Sequence, residues 1–158
     1  MATKQTPKRT KAEETKKRKA PKSPEKYFLG VGRRKSAVAR VRLTSLKTEN
    51  ETAENIEINK KPFKKYFTVA ELREAVLKPI EAAGLGKKVK VSAVAAGGGI
   101  RGQAEAILLG IARAIVAMNG EHKKTLRAGG YLTRDDRKVE RKKAGLKKAR
   151  RAPQWQKR

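Results

Sequence analysis

Gly97-Gly98-Gly99-Ile100-Arg101-Gly102-Gln103, followed by Ala104 to Met118, constrains the fold of this chain more than any other stretch. It reads as a glycine turn feeding one long helix. Ala104, Ile107, Leu108, Ile111, Ala114, Ile115 and Met118 recur at three- and four-residue steps, which places them on one stripe. The other face is smooth: Gly102, Ala106, Gly110 and Ala117, with Arg113 as its single charge. A helix from Arg101 to Met118 would run roughly 27 Å, enough to cross a small domain. No other segment repeats apolar residues so often at one period, so the core is predicted to be built on this helix.

The same glycines invite a cofactor. Gly97, Gly99 and Gly102 satisfy the dinucleotide-binding spacing between an apparent strand and a helix. Such a site needs a second strand after the helix, with an acid for the ribose. Here Gly120, Glu121, His122, Lys123 and Lys124 follow, then a basic tail with no apolar strand. A phosphate loop fails too, because Gln103 and Ala104 stand where Lys and Ser or Thr are required. Two readings remain: a strand-to-helix turn that needs glycine dihedrals, or an anion site in which free helix-start amides and Arg101 meet a nucleic-acid phosphate.

Charge favours a polyanion. The 158 residues include 42 Lys and Arg against 15 Asp and Glu, a net charge of +27 that opposes compaction and calls for a partner. Cysteine is absent and His122 is the only histidine, so disulfides, thiol chemistry and a Cys/His metal site are excluded. No cofactor is expected. No apolar run of membrane length and no signal-peptide pattern occurs, so a soluble, cytoplasmic protein is expected, with no membrane partner.

The charge is spread over three regions. Residues 1–26 hold ten Lys or Arg against three Glu, with Pro7, Pro21 and Pro24, and read as a disordered basic arm. Residues 27–132 form the predicted globular core, with twenty basic and nine acidic residues. Residues 133–158 form a basic tail with twelve Lys or Arg against three acids and only isolated apolar residues, Val139, Leu146 and Trp155. A core that is itself basic suits a protein embedded in polyanion better than one tethered to it by a tail.

Within the core, Gly30 to Ser36 is a basic, glycine-flanked approach to a strand. Ala37, Ala39, Val41 and Leu43 alternate with Val38, Arg40 and Arg42, which predicts an apolar face and an arginine face turned to a partner. A polar loop, Thr44 to Asn55, precedes a short strand, Ile56 to Ile58. Pro62 opens a helical turn with Phe63, Tyr66 and Phe67. Thr68 and Glu71 have capping-box spacing, with Val69, Leu72, Val76 and Leu77 as the apolar side of that helix. Pro79 is predicted to stop or kink it, with a separate turn from Ile80 to Leu85. Val89, Val91, Ala93 and Ala95 alternate with Lys88, Lys90, Ser92 and Val94 as the strand before the glycine turn. His122 to Arg127 reads as a last short helix, closed by Gly129-Gly130.

Several of these blocks resemble a known family. Gly32-Arg33-Arg34-Lys35-Ser36-Ala37 with Arg40-Val41, Gly97 to Ala106, Arg127 to Asp135, Glu140-Arg141-Lys142-Lys143 and Arg150 to Arg158 are together similar to the ninth protein of the small ribosomal subunit, in its bacterial type. The resemblance covers about 27–158 and leaves the N-terminal arm outside it. Trp155 and Gln156 depart from the usual aromatic and Ser before the final Lys-Arg.

The resemblance implies an α+β fold, a two-layer α/β sandwich with a mixed sheet and a left-handed crossover, carrying long basic tails. It implies a non-enzymatic constituent of the subunit head, bound to small-subunit ribosomal RNA and neighbouring head proteins. Its tail would extend to peptidyl-site transfer RNA, which Lys157 and Arg158 would touch. The expected ribosomal-RNA contacts are Arg33, Arg34, Lys35, Arg40, Arg42, Arg101, Arg113, Arg127, Arg134, Arg141, Lys142, Lys143, Lys147, Lys148, Arg150 and Arg151, with Gly97, Gly98 and Gly99 forming the backbone turn. A histone-like DNA-binding protein shares the charge balance and is the alternative, which the glycine block and terminal motif disfavour.

Overall fold

The computed structural model describes residues 26–46, 55–86 and 88–155. The expected N-terminal arm up to residue 25, most of the expected 44–55 loop, and Lys157 and Arg158 lie outside these. Strands β1 (Tyr27–Arg34) and β2 (Ala37–Ser45) are followed by β3 (Ile56–Ile58), β4 (Lys61–Pro62), helix α1 (Phe63–Tyr66) and helix α2 (Ala70–Ala82). Strand β5 (Val89–Ala96), the long helix α3 (Ile100–Met118) and α4 (His122–Ala128) complete the fold.

The sheet order is β1-β2-β5-β3-β4. Strand β2 is antiparallel to both β1 and β5, whereas β3 is parallel to β5. Parallel neighbours need a crossover, and β4, α1 and α2 supply it. The result is the expected α+β fold with a mixed sheet. Residues at even steps in β2 and β5 show why helices cover one face only. Ala37, Ala39, Val41, Leu43, Val89, Val91, Ala93 and Ala95 are buried, and the residues between them in those strands are mostly exposed.

Strand β1 escaped the sequence reading, and its packing explains why. Its helix-facing positions are Phe28, Gly30, Gly32 and Arg34, too poor in apolar side chains to announce a strand. The glycines serve close approach instead. A Cβ at Gly32 would lie 1.8 Å from the Ala106 carbonyl oxygen, and one at Gly30 would lie 2.0 Å from that of Gly110. The middle of the smooth side of α3 is therefore packed. Ala106 and Gly110 meet β1, Ile107, Ile111 and Ile115 fill the core, and Leu108 and Met118 of the expected stripe are only half-buried.

Other local expectations change. Helix α2 begins at Ala70 with Val69 as N-cap, and no side chain caps it, so Thr68 is not the cap. Val69 is 51% exposed and belongs to no apolar side. Pro79 is buried inside α2, which runs on to Ala82 with Ala83 as C-cap and Gly84 beyond it at φ +66°, so Ile80 continues the helix. The helix forgoes one N–H bond there, the one that residue 79 would otherwise give to the Ala75 carbonyl.

A polar strut joins the crossover to the glycine turn. The Asn59 side chain donates to the Ala95 carbonyl at 2.9 Å and accepts the Ala95 N–H at 3.0 Å. The Tyr66 hydroxyl donates to Gln103 Oε1 at 2.6 Å, and Gln103 Nε2 donates to the Gly97 carbonyl at 3.0 Å. Gly97 and Gly98 both take positive φ, +70° and +62°, as the turn requires. Gly99 has an extended backbone and open space about it.

Candidate nucleic-acid interface

The bare face of the sheet presents a grid. Along β1 the outward residues are Tyr27, Leu29, Val31 and Arg33; along β2 they are Thr44, Arg42, Arg40 and Val38 in the paired register. Strand β5 adds Lys90, Ser92, Val94 and Ala96 beside these. Arg33, Arg40 and Arg42 are exposed, and none has an acidic partner among the described residues. The Arg42 guanidinium lies 5.2 Å from the centre of the Tyr27 ring, a cation–π contact that holds both on the surface. Alternation exposes these arginines: each follows a residue that is buried on the other face.

At one end of the sheet the β1–β2 hairpin meets the glycine turn. Lys35 is exposed in the two-residue turn with φ +53°. A Cβ on Gly97 would fall 2.6 Å from the Ser36 carbonyl oxygen, so glycine allows the two turns to touch. Arg101 follows in the first turn of α3, 84% exposed, with a long contact to Glu105 at 3.6 Å. The basic hairpin, the free amides that start α3 and Arg101 therefore gather at one edge.

Arg34, expected among the RNA contacts, is taken up inside the fold. Its side chain is 13% exposed. It pairs with Glu105 of α3 and, at 2.9 Å, with Asp135 beyond the last helix. It also donates to the backbone carbonyls of Asp135 and Arg137, at 3.3 and 3.1 Å. The three contacts to Asp135 and Arg137 fasten the start of the C-terminal segment to the core, and the Glu105 pair joins β1 to α3. A run of three cations carried no sign that its middle member would turn inward. The signal was the strand period, which puts Arg34 on the side of Gly30 and Gly32.

Elsewhere the expected contacts divide. Arg113 is exposed, and Nη1 donates to the Val31 carbonyl at 2.6 Å. Arg134 pairs with Asp136 at 3.1 Å, and Arg150 pairs with Glu140 at 2.5 Å. Arg127, Arg141, Lys142, Lys143, Lys147, Lys148 and Arg151 are exposed with no acidic partner among the described residues. Tyr131 and Leu132 pack partly against the core; from there to residue 155 no helix or strand forms. The Asp135 carboxyl is held well below the usual carboxylate range by the Arg137 side chain, then by the Arg137 N–H, with the Arg34 charge a smaller contribution. Arg150 likewise lowers Glu140, and Glu140 raises Arg150.

The described residues hold no acidic or histidine cluster fit for a metal and no helix long and apolar enough to cross a membrane. The bare face and the tail thus offer cations and apolar surface.

Comparison with known proteins agrees in extent with these blocks. A family model described as ribosomal protein S9/S16 matches residues 32–158. The small ribosomal subunit protein uS9 of Crocosphaera subtropica is 48% identical over 132 residues, covering 83% of this chain and 92% of that protein. Those of Synechocystis and Dehalococcoides mccartyi are 45% and 46% identical over 132 residues each, covering 83% and 84% of this chain and 92% and 96% of theirs. The chain belongs to the uS9 family of ribosomal proteins and is a structural, non-enzymatic constituent of the small ribosomal subunit.

Proposed function

We propose that this protein holds ribosomal RNA of the subunit head against its bare sheet face, its glycine-turn edge and its basic tail, beside neighbouring head proteins in the cytoplasm. The observation that carries this is the set of exposed arginines on the sheet, Arg33, Arg40 and Arg42, which the chain's own acids leave uncovered among the described residues. Lysines and arginines on phosphates release counterions, so affinity follows salt. Lys35, Arg101, Arg127, Arg141, Lys142, Lys143, Lys147, Lys148 and Arg151 extend the same surface. Arg113, Arg134 and Arg150 share their charge with internal partners and contribute less. Arg34 acts as the anchor of the tail.

The test is binding of the full chain to small-subunit ribosomal RNA and to duplex DNA of equal length across a salt series. Steep salt dependence with preference for the structured RNA is expected. Equal affinity for the duplex DNA would overturn the assignment.

The finer reading concerns the end of the tail. Lys157 and Arg158 reach the anticodon arm of peptidyl-site transfer RNA in this proposal. Two cations change little in the affinity of a +27 protein, so their effect is local. Each charge-assisted hydrogen bond is worth roughly 1.5–3 kcal/mol before screening reduces it. Deleting both residues should leave assembly intact and modestly speed transfer-RNA dissociation from purified subunits. Unchanged dissociation at low salt would remove the role.

A further inference from the structure

We propose that the bare face of the sheet is a stacking platform for unpaired bases, so that this part of the protein takes single-stranded rather than duplex RNA. The inference rests on the RNA-binding reading and names the form of RNA. Tyr27, Leu29 and Val94 are 51%, 53% and 51% exposed, and Val38 is 39% exposed. These are large apolar side chains on three adjacent strands, and Val31 lies half-buried among them.

Their arrangement favours an unpaired strand over simpler partners. In the strand register Leu29 sits opposite Arg42, Val31 opposite Arg40, and Arg33 opposite Val38, with Val94 beside Arg40. An apolar row, Tyr27, Leu29 and Val31 on β1, therefore lies beside a cationic pair, Arg42 and Arg40 on β2, with Val94 on the far side of Arg40. A protein interface usually gathers its apolar groups at the centre, depleted of charge, with a polar rim. A docked protein would have to desolvate Arg40 and Arg42 at its middle, with Glu57 on the β3 side as the nearest acid of the sheet face. A nucleic-acid duplex offers phosphates to the arginines and leaves Leu29, Val38 and Val94 with nothing flat to meet.

An unpaired strand offers both. Each nucleotide brings a planar face for the apolar row and a phosphate for the arginines beside it. Two shallow depressions of about 260 and 270 Å³ mark the places. One is lined by Tyr27, Arg42, Thr44, Glu57, Lys90 and Ser92, the other by Tyr27, Leu29, Arg40, Arg42, Ser92 and Val94. Tyr27 and Arg42 border both. Their cation–π contact sets the guanidinium over the ring, and a base stacking on either would extend that pair.

The experiment compares an oligoadenylate of about 12 nucleotides with an RNA duplex of the same length, using the full chain and its Tyr27→Ser/Val94→Ser variant. Both side chains are exposed, so the fold should survive, as thermal melting would verify. The expected result is a loss of about five- to tenfold for the oligoadenylate, with duplex affinity and both salt slopes unchanged. The Arg40→Gln/Arg42→Gln variant should instead lower the single-strand salt slope by roughly 1.4. If Tyr27→Ser/Val94→Ser melts early, Tyr27→Leu keeps the apolar bulk without the ring and should still lower the preference for the unpaired strand. Equal loss on both RNAs, or none on either, overturns the platform while RNA binding stands. Unchanged RNA binding with lost association to another small-subunit protein overturns it in favour of protein docking. Absence of salt-dependent RNA binding in the parent would instead defeat the underlying assignment.

Discussion

Arg33 and Arg34 are adjacent in β1 and meet opposite fates. Arg33 points to the bare face and finds no acid among the described residues; Arg34 points to the helix face and is enclosed by Glu105 and Asp135. The two faces of one sheet thus use the same residue type for two purposes. On the covered face a cation joins parts of the chain, and on the bare face it is left for a partner. The difference comes from what the neighbouring layer supplies. Helix α3 brings Glu105 within reach of one face, and nothing in the described residues approaches the other.

Steric contrast between the faces should give the largest effect. A methyl at Gly32 would meet the Ala106 carbonyl at 1.8 Å and the Gly110 nitrogen at 2.7 Å, both backbone atoms with no rotamer to yield. Gly32→Ala should cost at least about 3 kcal/mol, the upper end of overpacking, read from the urea midpoint. Val38→Ala, on the bare face, should stay within about 1 kcal/mol. Similar losses from both would mean that α3 does not lie this close to β1.

The sequence showed the bare face more readily than the covered one. Period-two alternation made β2 and β5 legible and turned Arg40 and Arg42 outward. The glycine block exposed the turn, and Gly98 has the positive φ it needs. What stayed hidden depends on backbone proximity. Gly30 and Gly32 read as an approach to a strand because they lack the side chains that mark one, and the smooth side of α3 gives no sign of packing because Ala106 and Gly110 are small. The Arg34–Glu105 pair spans 71 positions and the Arg34–Asp135 pair 101, beyond any local pattern. The capping box failed for the converse reason: Thr68 and Glu71 have the right spacing, yet the chain enters α2 one residue later, with Val69 in an extended conformation.

A second, smaller effect separates the two arginines themselves. Arg34→Ala should lower stability by about 1–3 kcal/mol, through hydrogen bonds lost around a mostly buried cation, and should speed tryptic cleavage at Arg137 and Lys138. Arg33→Ala should leave the melt unchanged and lower the slope of log affinity against log salt by roughly 0.7–0.9 for one lost phosphate contact. Exchange of these outcomes between the two variants would invert the assignment of faces.

Acid should sharpen the same contrast. Hydrogen bonds from Arg137, with the Arg34 charge behind them, depress the Asp135 carboxyl. A depressed acid stabilises fully above its ordinary value of about 4 and loses that contribution only as pH falls through the lower folded value. The Asp135 carboxylate should therefore stay ionised at pH 4, available to Arg34, and become protonated only in stronger acid. A carboxyl titration by nuclear magnetic resonance should place the Asp135 midpoint well below the ordinary Asp range. A midpoint at the ordinary value would show that Arg137 does not clamp the carboxyl.

The smallest effect tests whether burial or sequence decides a cation's use, because Arg101 and Arg34 share one acid. Glu105 pairs with the enclosed Arg34 and, one helical turn from Arg101, makes the 3.6 Å contact to it. Arg101 is 84% exposed, so water screens that pair and an exposed i,i+4 contact contributes at most about 0.5 kcal/mol. Arg101→Ala should thus melt almost like the parent. Its guanidinium stands in the first turn of α3, beside amides that no side chain caps, with Lys35 and the β1–β2 hairpin at the same edge. A phosphate there would be met by the free N–H groups, the hairpin cation and Arg101 together. The substitution should therefore weaken RNA binding by one phosphate contact, with the salt slope falling by roughly 0.7–0.9. Marked unfolding, with unchanged affinity in the folded fraction, would move Arg101 to the structural side and leave the glycine turn as a joint between strand and helix.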